Sequence, residues 1–468
     1  MKKDETEASS SSAGSHAHAN AVKIIDVEPF FSVERPSGVF SFEATIAGDL
    51  TFAHVRVRVA DRSGRTAEGW GAILLSHPWA FPGTDLSDAA KDQIMRAIIG
   101  MAGDLLIGDG AHGHPLDHFL AIEPELGEIM IGRGAEESVV VPVLAALVAY
   151  SPIDAAIHDA YGKLHGISSY DALGPNYIGW DLSRVLGTRF AGRYLPEFLR
   201  PEPVDSLPIL HTVGTDDPLT PIEQGDSAYH CLTDWIAIDG VHSFKVKLQG
   251  RDLEWDISRL VRVYETASDS VGLAGEVRII GDLNERSPSL VYIMALLDGV
   301  ASRSPDAFAA LDALEQPASR DLDARAIDLS SASQRVSIVL DEGLTSLAAI
   351  DRAVALGWNG IALETCKTQS LMLLALAKAT VLGLRISVQD LTNPGIALLQ
   401  SVGLASRLLQ TAPMESNQRQ YFSATSKQEA AVFPWIFAVR GGAVPSSEVG
   451  GPGLGYGDLQ HIGRDIFA

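Results

Sequence analysis

From about residue 207 onward the chain repeats one unit: a short apolar run, then a helical stretch, then another short apolar run. This rhythm restricts the fold more than any other feature. The strand candidates are Ile209–Val213, Phe244–Leu248, Val277–Ile280, Ala313–Leu314, Val336–Leu340, Gly360–Leu363 and Leu384–Val388, with a weak eighth at Ala412–Met414. The helices between them have readable ends: Ala348 to Leu356 stops at Gly357, Leu371 to Leu382 stops at Gly383, and Asn393-Pro394 opens the next. Seven or eight such units over about 210 residues imply a closed (β/α) barrel rather than an open sheet.

The N-terminal part reads differently. Val22 to about Ile73 is strand-like: Val55, Val57 and Val59 alternate with Arg56, Arg58 and Ala60, and Asp61 to Gly64 makes a turn. Asp88 to Met101 and residues 138–150 read as helices. Ser151-Pro152-Ile153-Asp154 reads as a fresh helix start with Ser as cap, Pro in the first turn and Asp at the positive end, and Gly166 closes that helix. The expected divisions are a disordered tail (1–21), a cap (22–175), a connecting insertion (176–206), the barrel (207–432) and a glycine-rich segment returning to the N-terminal sheet (433–468). His16 and His18 fall in the tail and read as solvated.

Apolar residues make up 46% of the 468, enough for a large core. The formal charge of −23 argues against binding nucleic acid or an anionic membrane. Only Cys231 and Cys366 occur, which excludes a disulfide framework and a multi-cysteine zinc site. With no apolar run of about 18 residues and no signal-peptide pattern at Met1-Lys2-Lys3, the expected location is the cytoplasm.

In a (β/α) barrel, chemistry sits where strands end. The second strand candidate carries Lys245 and Lys247, two apart and therefore on one face. The third ends at Asp282, the fourth at Glu315 and the fifth at Asp341. Singly, these are ordinary: a Lys-x-Lys strand edge, a strand exit at Glu-Gln-Pro, a helix cap at Asp-Glu. Jointly, on consecutive strands, they make a metal site. Converging carboxylates repel each other, and a hard divalent cation relieves that repulsion; an oxygen-only set suits Mg²⁺. A lysine beside such an ion and a second ammonium is pushed towards its neutral form and becomes a base. The matching reaction is removal of the α-proton of a carboxylate to give an enediolate that the cation stabilises.

These residues resemble the enolase superfamily, in its mandelate racemase and muconate lactonizing enzyme branch. Residues 151–166 resemble the helix leading from cap to barrel, Gly69-Trp70-Gly71 a cap-strand ending, and Pro452-Gly453-Leu454-Gly455 the C-terminal return. The resemblance implies an α/β fold: a (β/α)7β modified TIM barrel with an α+β capping domain built from N- and C-terminal segments. It implies Asp282, Glu315 and Asp341 as Mg²⁺ ligands, Lys247 as base and Lys245 as its assistant. Glu415 resembles the family's strand-eight glutamate, which donates a proton when neutral; a surface-loop glutamate is the competing reading.

The resemblance breaks at strand six. Glu364 stands where the muconate lactonizing branch has its second catalytic lysine, and Lys367 lies three residues on. Gln389 stands where the mandelate racemase branch has a strand-seven histidine. Glu364 then has three open roles: acid or base, partner of a cationic substrate group, or mark of lost activity. Lys367 can also swing in. The expected product is an epimer, a cycloisomer or an alkene; the alternatives are a sugar-acid dehydratase with a single base and a metal-binding homologue without catalysis. Arg35, His77 and Trp79 on cap loops, with Asn284 and Gln389 on the barrel, are candidate contacts for a small carboxylate substrate. His211 ends strand one and reads better as a packed barrel residue than as a site group; Cys366 reads as packing. No nucleic-acid or membrane partner is expected, and a homo-oligomer is.

Overall fold

The computed structural model describes residues 19–37, 40–41, 45–46, 48–132, 141–225, 230–271, 277–422 and 426–457. Residues 1–18 of the expected tail, with His16 and His18, lie outside them, as does part of the cap loop 31–42. The last three residues of the tail are ordered instead, with Ala21 buried and Asn20 donating to Asn176 O at 3.1 Å.

Three long strands open the chain: β1 (Val22–Glu34), β2 (Leu50–Asp61) and β3 (Thr66–Leu74). They form an antiparallel sheet in the order β1-β2-β3. Val55, Val57 and Val59 are fully buried, as the alternation predicts. Three long helices follow: α1 (Asp88–Asp109), α2 (Pro115–Gly132) and α3 (Val143–His165).

Helix α3 corrects one expectation. It does not start at Ser151-Pro152 but runs through it without a break. An internal proline has no N–H for the carbonyl four residues back. Here that carbonyl belongs to Val148, and the Ser151 hydroxyl donates to it instead at 2.9 Å. The Ser-Pro pair that resembles a cap is a self-repairing helix interior. Asp154, expected at the positive end of its own helix, accepts from Ser370 N and Oγ at 2.8 and 2.7 Å across the domain boundary.

Helix α3 is also long and apolar enough by composition to cross a membrane, contrary to the reading of no such run, but 94% of its apolar window is buried inside the protein. It lies close against β3. A Cβ on Gly69 or Gly71 would come within 2.2 Å of Ala156 O or 2.1 Å of Pro152 O, so only glycine permits this approach.

The rest is the barrel. Its strands are β4 (Ser206–Val213), β5 (Ser243–Lys247), β6 (Arg278–Asp282), β7 (Leu311–Glu315), β8 (Ser337–Leu340), β9 (Gly360–Glu364), β10 (Arg385–Gln389) and β11 (Met414–Glu415). Neighbours pair in parallel, and β11 pairs with β4 to close the ring. The helices α4 (Leu232–Asp239), α5 (Leu253–Val271), α6 (Leu290–Arg303), α7 (Leu347–Ala355), α8 (Gln369–Leu382) and α9 (Gly395–Ala405) connect them. Between β7 and β8 the crossover is built of turns. Leu210, Ile280, Ala313, Val339 and Ala362 fill the barrel interior as a cluster separate from the main core.

The C-terminal segment touches both barrel and cap. Strand β12 (Ala443–Pro445) pairs antiparallel with barrel strand β4, not with the N-terminal sheet. Its link to the cap runs through Asp159 of α3, whose carboxylate accepts from Trp70 N on β3 and from Leu454 N, each at 3.0 Å.

Candidate active site

The register of the parallel strands brings the chemistry together. Lys247 pairs with Asp282, and Asp282 with Glu315. Asp341 follows the last residue of β8, and Glu364 ends β9 level with Gln389 on β10. The end of β11 supplies Glu415. All of these side chains are buried.

Each expected metal ligand is held by an ammonium. Lys245 Nζ lies 2.7 Å from Glu315, 3.2 Å from Glu415 and 3.5 Å from Asp282. Lys247 bonds Asp282. Lys367, wholly buried in the turn after β9, donates to the Asp341 carboxylate and carbonyl at 2.7 Å and reaches Glu364 at 2.9 Å. Among the described residues no three acidic, histidine or cysteine side chains close on one point. Lys245 reaches both Asp282 and Glu315, whereas Asp341 is held separately by Lys367.

The charges there do not balance. Among the described residues, Asp282, Glu315, Asp341, Glu342, Glu364, Asp390 and Glu415 face Lys245, Lys247 and Lys367 as buried amines, with the Arg320 guanidinium acting on Glu342. Burial pushes Glu315 and Glu342 well up, and the neighbouring acids add to it. Glu364 rises to about 7 from burial and from Asp341, against the pull of Lys367. For Asp341 burial works upward, but Lys367 and Lys245 win and hold it at about 2. Burial works against the charge on Lys245, yet Glu315, Glu415 and Asp282 raise it. The surplus of hard oxygen donors fits a divalent cation.

The remaining candidates divide. Ser76, Trp79, Lys245, Lys247, Asn284, Asp341, Glu364, Asp390, Leu391, Thr392, Glu415 and Asn417 line the mouth. Glu364 therefore points inward, on the strand facing β5 across the ring. Trp79 bridges cap and barrel: its indole donates to Glu342 at 3.1 Å, Asn284 donates to the same oxygen at 2.9 Å, and Lys367 lies 5.4 Å from the Trp79 ring.

Two expected substrate contacts sit elsewhere, and a third is committed within the site. The Arg35 side chain is 83% exposed and pairs with Asp49. His77, at the start of the turn that presents Trp79, faces Asp88 at 3.6 Å because successive residues of a helical turn point apart. The Gln389 amide is used inside the network, accepting from Lys245 and donating to Glu315. His211 faces the helix layer against Trp235 and Phe244, while its neighbour Thr212 turns inward to Glu415. Cys366 is buried beside Glu364. Glu342, Asp390 and Asn417 were not singled out by sequence; each follows within two residues of a residue that was, and only the loop path after the strand turns it inward.

The architecture is a closed parallel barrel with a capping sheet, bearing acids and lysines at its strand ends. Residues 230–457 match the family profile described as enolase C-terminal domain-like. The match spans just under half of the chain and likens that segment to the enolase superfamily. Solved structures agree on the fold. A dipeptide epimerase from Enterococcus faecalis V583, complexed with Mg and L-Leu-L-Tyr, superimposes with a TM-score of 0.59 at 16% identity, covering 93% of this chain and 99% of that one. A muconate lactonizing enzyme from Pseudomonas fluorescens, complexed with muconolactone, gives 0.60 at 17%, covering 93% and 96%. The L-Ala-D/L-Glu epimerase from Bacillus subtilis gives 0.58 at 17%, covering 92% and 98%. No curated protein sequence matches.

Proposed function

We propose that this chain is an isomerase or lyase that removes the α-proton of a small carboxylate substrate. The observation that carries the reading is the surplus of buried acids over buried amines around Lys245 and Lys247. Asp282, Glu315 and Asp341 would hold Mg²⁺, which supplies Lewis acidity towards the substrate carboxylate and neutralises the acids. Lys245 lies among Glu315, Glu415 and Asp282 and orients that carboxylate by charge. Lys247 takes the proton from one face. Glu364 stands on the opposite strand, within the same mouth, and returns a proton to the other face. Trp79 closes the mouth from the cap side and limits water. Two acid-base groups on opposite walls favour epimerisation over a one-base elimination.

The test is exchange of solvent deuterium into the α-position over a panel of acid sugars, dipeptides and N-acyl amino acids with Mg²⁺ present. Lys247→Ala should lower the exchange rate by about 10²-fold or more. A variant that exchanges as fast as the parent would remove Lys247 from the role of base. Mg²⁺ binding with no exchange across the panel would favour the non-catalytic homologue.

A further inference from the structure

One wall of the mouth is left over by this chemistry. It is formed by the loop after β10 and the end of β11, with Asp390, Leu391, Thr392 and Asn417 all lining the opening. Asp390 is about 95% buried, with a relative exposure of 5%. Its Oδ1 accepts from Asn393 N at 3.0 Å, but its Oδ2 accepts from no described residue. Asn417 is buried as well, and its Oδ1 is likewise without a donor. The Asn417 amide cannot be turned round. Its NH₂ donates to Glu415 at 3.0 Å and to Thr212 at 3.3 Å, so a flip would set the oxygen against a carboxylate. Buried acceptors without donors are costly and rare. Two on one lining wall specify a ligand that donates.

We infer that this wall is a recognition subsite for a cationic group, so that the substrate carries an ammonium or guanidinium away from the carboxylate that reacts. The inference rests on the reading of the site as an α-proton enzyme for carboxylates. Charge supports it. The nearest amines are already committed: Lys245 to Glu315 and Glu415, and Lys367 to Asp341 and Glu364. Burial raises Asp390 well above the ordinary range, with Glu415 and Glu364 adding to it, which marks a carboxyl short of a counter-charge. A ligand ammonium or guanidinium meets Asp390 Oδ2 with one N–H and Asn417 Oδ1 with another. A ligand carboxylate would add negative charge beside Asp390, Glu415 and Glu364, and an alkyl group would leave both oxygens bare.

The experiment compares matched ligands by calorimetric binding to the Mg²⁺-loaded protein, so it does not depend on turnover. The probes are N-acetyl-L-lysine, N-acetyl-L-norleucine and N-acetyl-L-glutamate, which differ only in the side-chain end. The lysine probe should bind at least about tenfold tighter than the norleucine probe, and the glutamate probe weakest. Asp390→Asn should erase the preference and Lys247→Ala should keep it. Leu391→Lys, at a half-buried lining position, should reverse it towards the glutamate probe and serves if Asp390→Asn fails to fold. Equal or tighter binding of the norleucine or glutamate probe, no detectable binding of the lysine probe, or a preference that survives Asp390→Asn would each overturn the subsite. The two readings fail separately: loss of preference with α-exchange intact removes only the subsite, and exchange by Lys247→Ala removes only the base.

Discussion

At the residue scale, Glu364 is the position that separates this chain from the pattern it resembles. A lysine there would add a fourth buried amine; a glutamate adds a seventh buried acid. Its position stays tenable because Lys367 at 2.9 Å partly compensates it, while burial and Asp341 keep its proton affinity close to neutrality. A group of that kind both accepts and returns a proton. Glu364→Gln keeps the shape and removes the acid. We expect interconversion of epimers to fall by about 10²-fold, while α-deuterium exchange from the Lys247 face persists. Stereospecific exchange followed by NMR measures both. Equal loss of the two would instead make Glu364 a structural counter-ion of Lys367.

At the element scale, helix α3 holds cap and barrel in register. Its Asp154 accepts from the first turn of α8, the helix that follows the Glu364–Lys367 turn. Its Asp159 joins β3 to the C-terminal segment. The helix survives Pro152 only because Ser151 satisfies Val148 O. Ser151→Ala should therefore cost about 1–3 kcal/mol, the usual penalty for a buried polar group left unpaired. Adding Pro152→Ala should restore most of it, since the new N–H can bond Val148 O. Urea unfolding of the single and double variants measures this; a double variant no more stable than the single one would show that the carbonyl is satisfied in another way.

At the scale of the whole molecule, buried neutral histidines tie stability to pH. Burial lowers His54 in the cap sheet to about 4, and His114 and His211 to about 3. An unfolded histidine titrates near 6.5. Each folded value is depressed, so below 6.5 the unfolded chain binds protons that the folded chain refuses. The stability each contributes is complete above 6.5 and falls as pH drops towards its folded value. Buried acids such as Asp154, raised to about 7 by burial, act in the opposite sense and lose their contribution as pH rises. The histidine part is isolated by comparison: going from pH 7 to pH 5, the parent should lose about 2 kcal/mol relative to His54→Phe. Urea midpoints at the two pH values measure it, and a constant difference would mean that His54 takes up its proton equally in the folded and unfolded chain.

Much of this protein was legible in the linear chain. The alternation of apolar runs and helical stretches located all eight barrel strands, because side-chain periodicity and glycine stops are local properties. Lys245, Lys247, Asp282, Glu315 and Asp341 could be found because strand ends mark the barrel mouth. What the tertiary structure alone decided is which polar groups meet. Ser151-Pro152 reads as a helix start until the packed helix passes through it. Arg35 and His77 read as pocket residues until the cap turns them towards Asp49 and Asp88. Asp390 and Asn417 carry no local signal at all. Their buried, unpaired acceptors arise from where two loops happen to end on the same wall, and that depends on contacts between residues far apart in sequence.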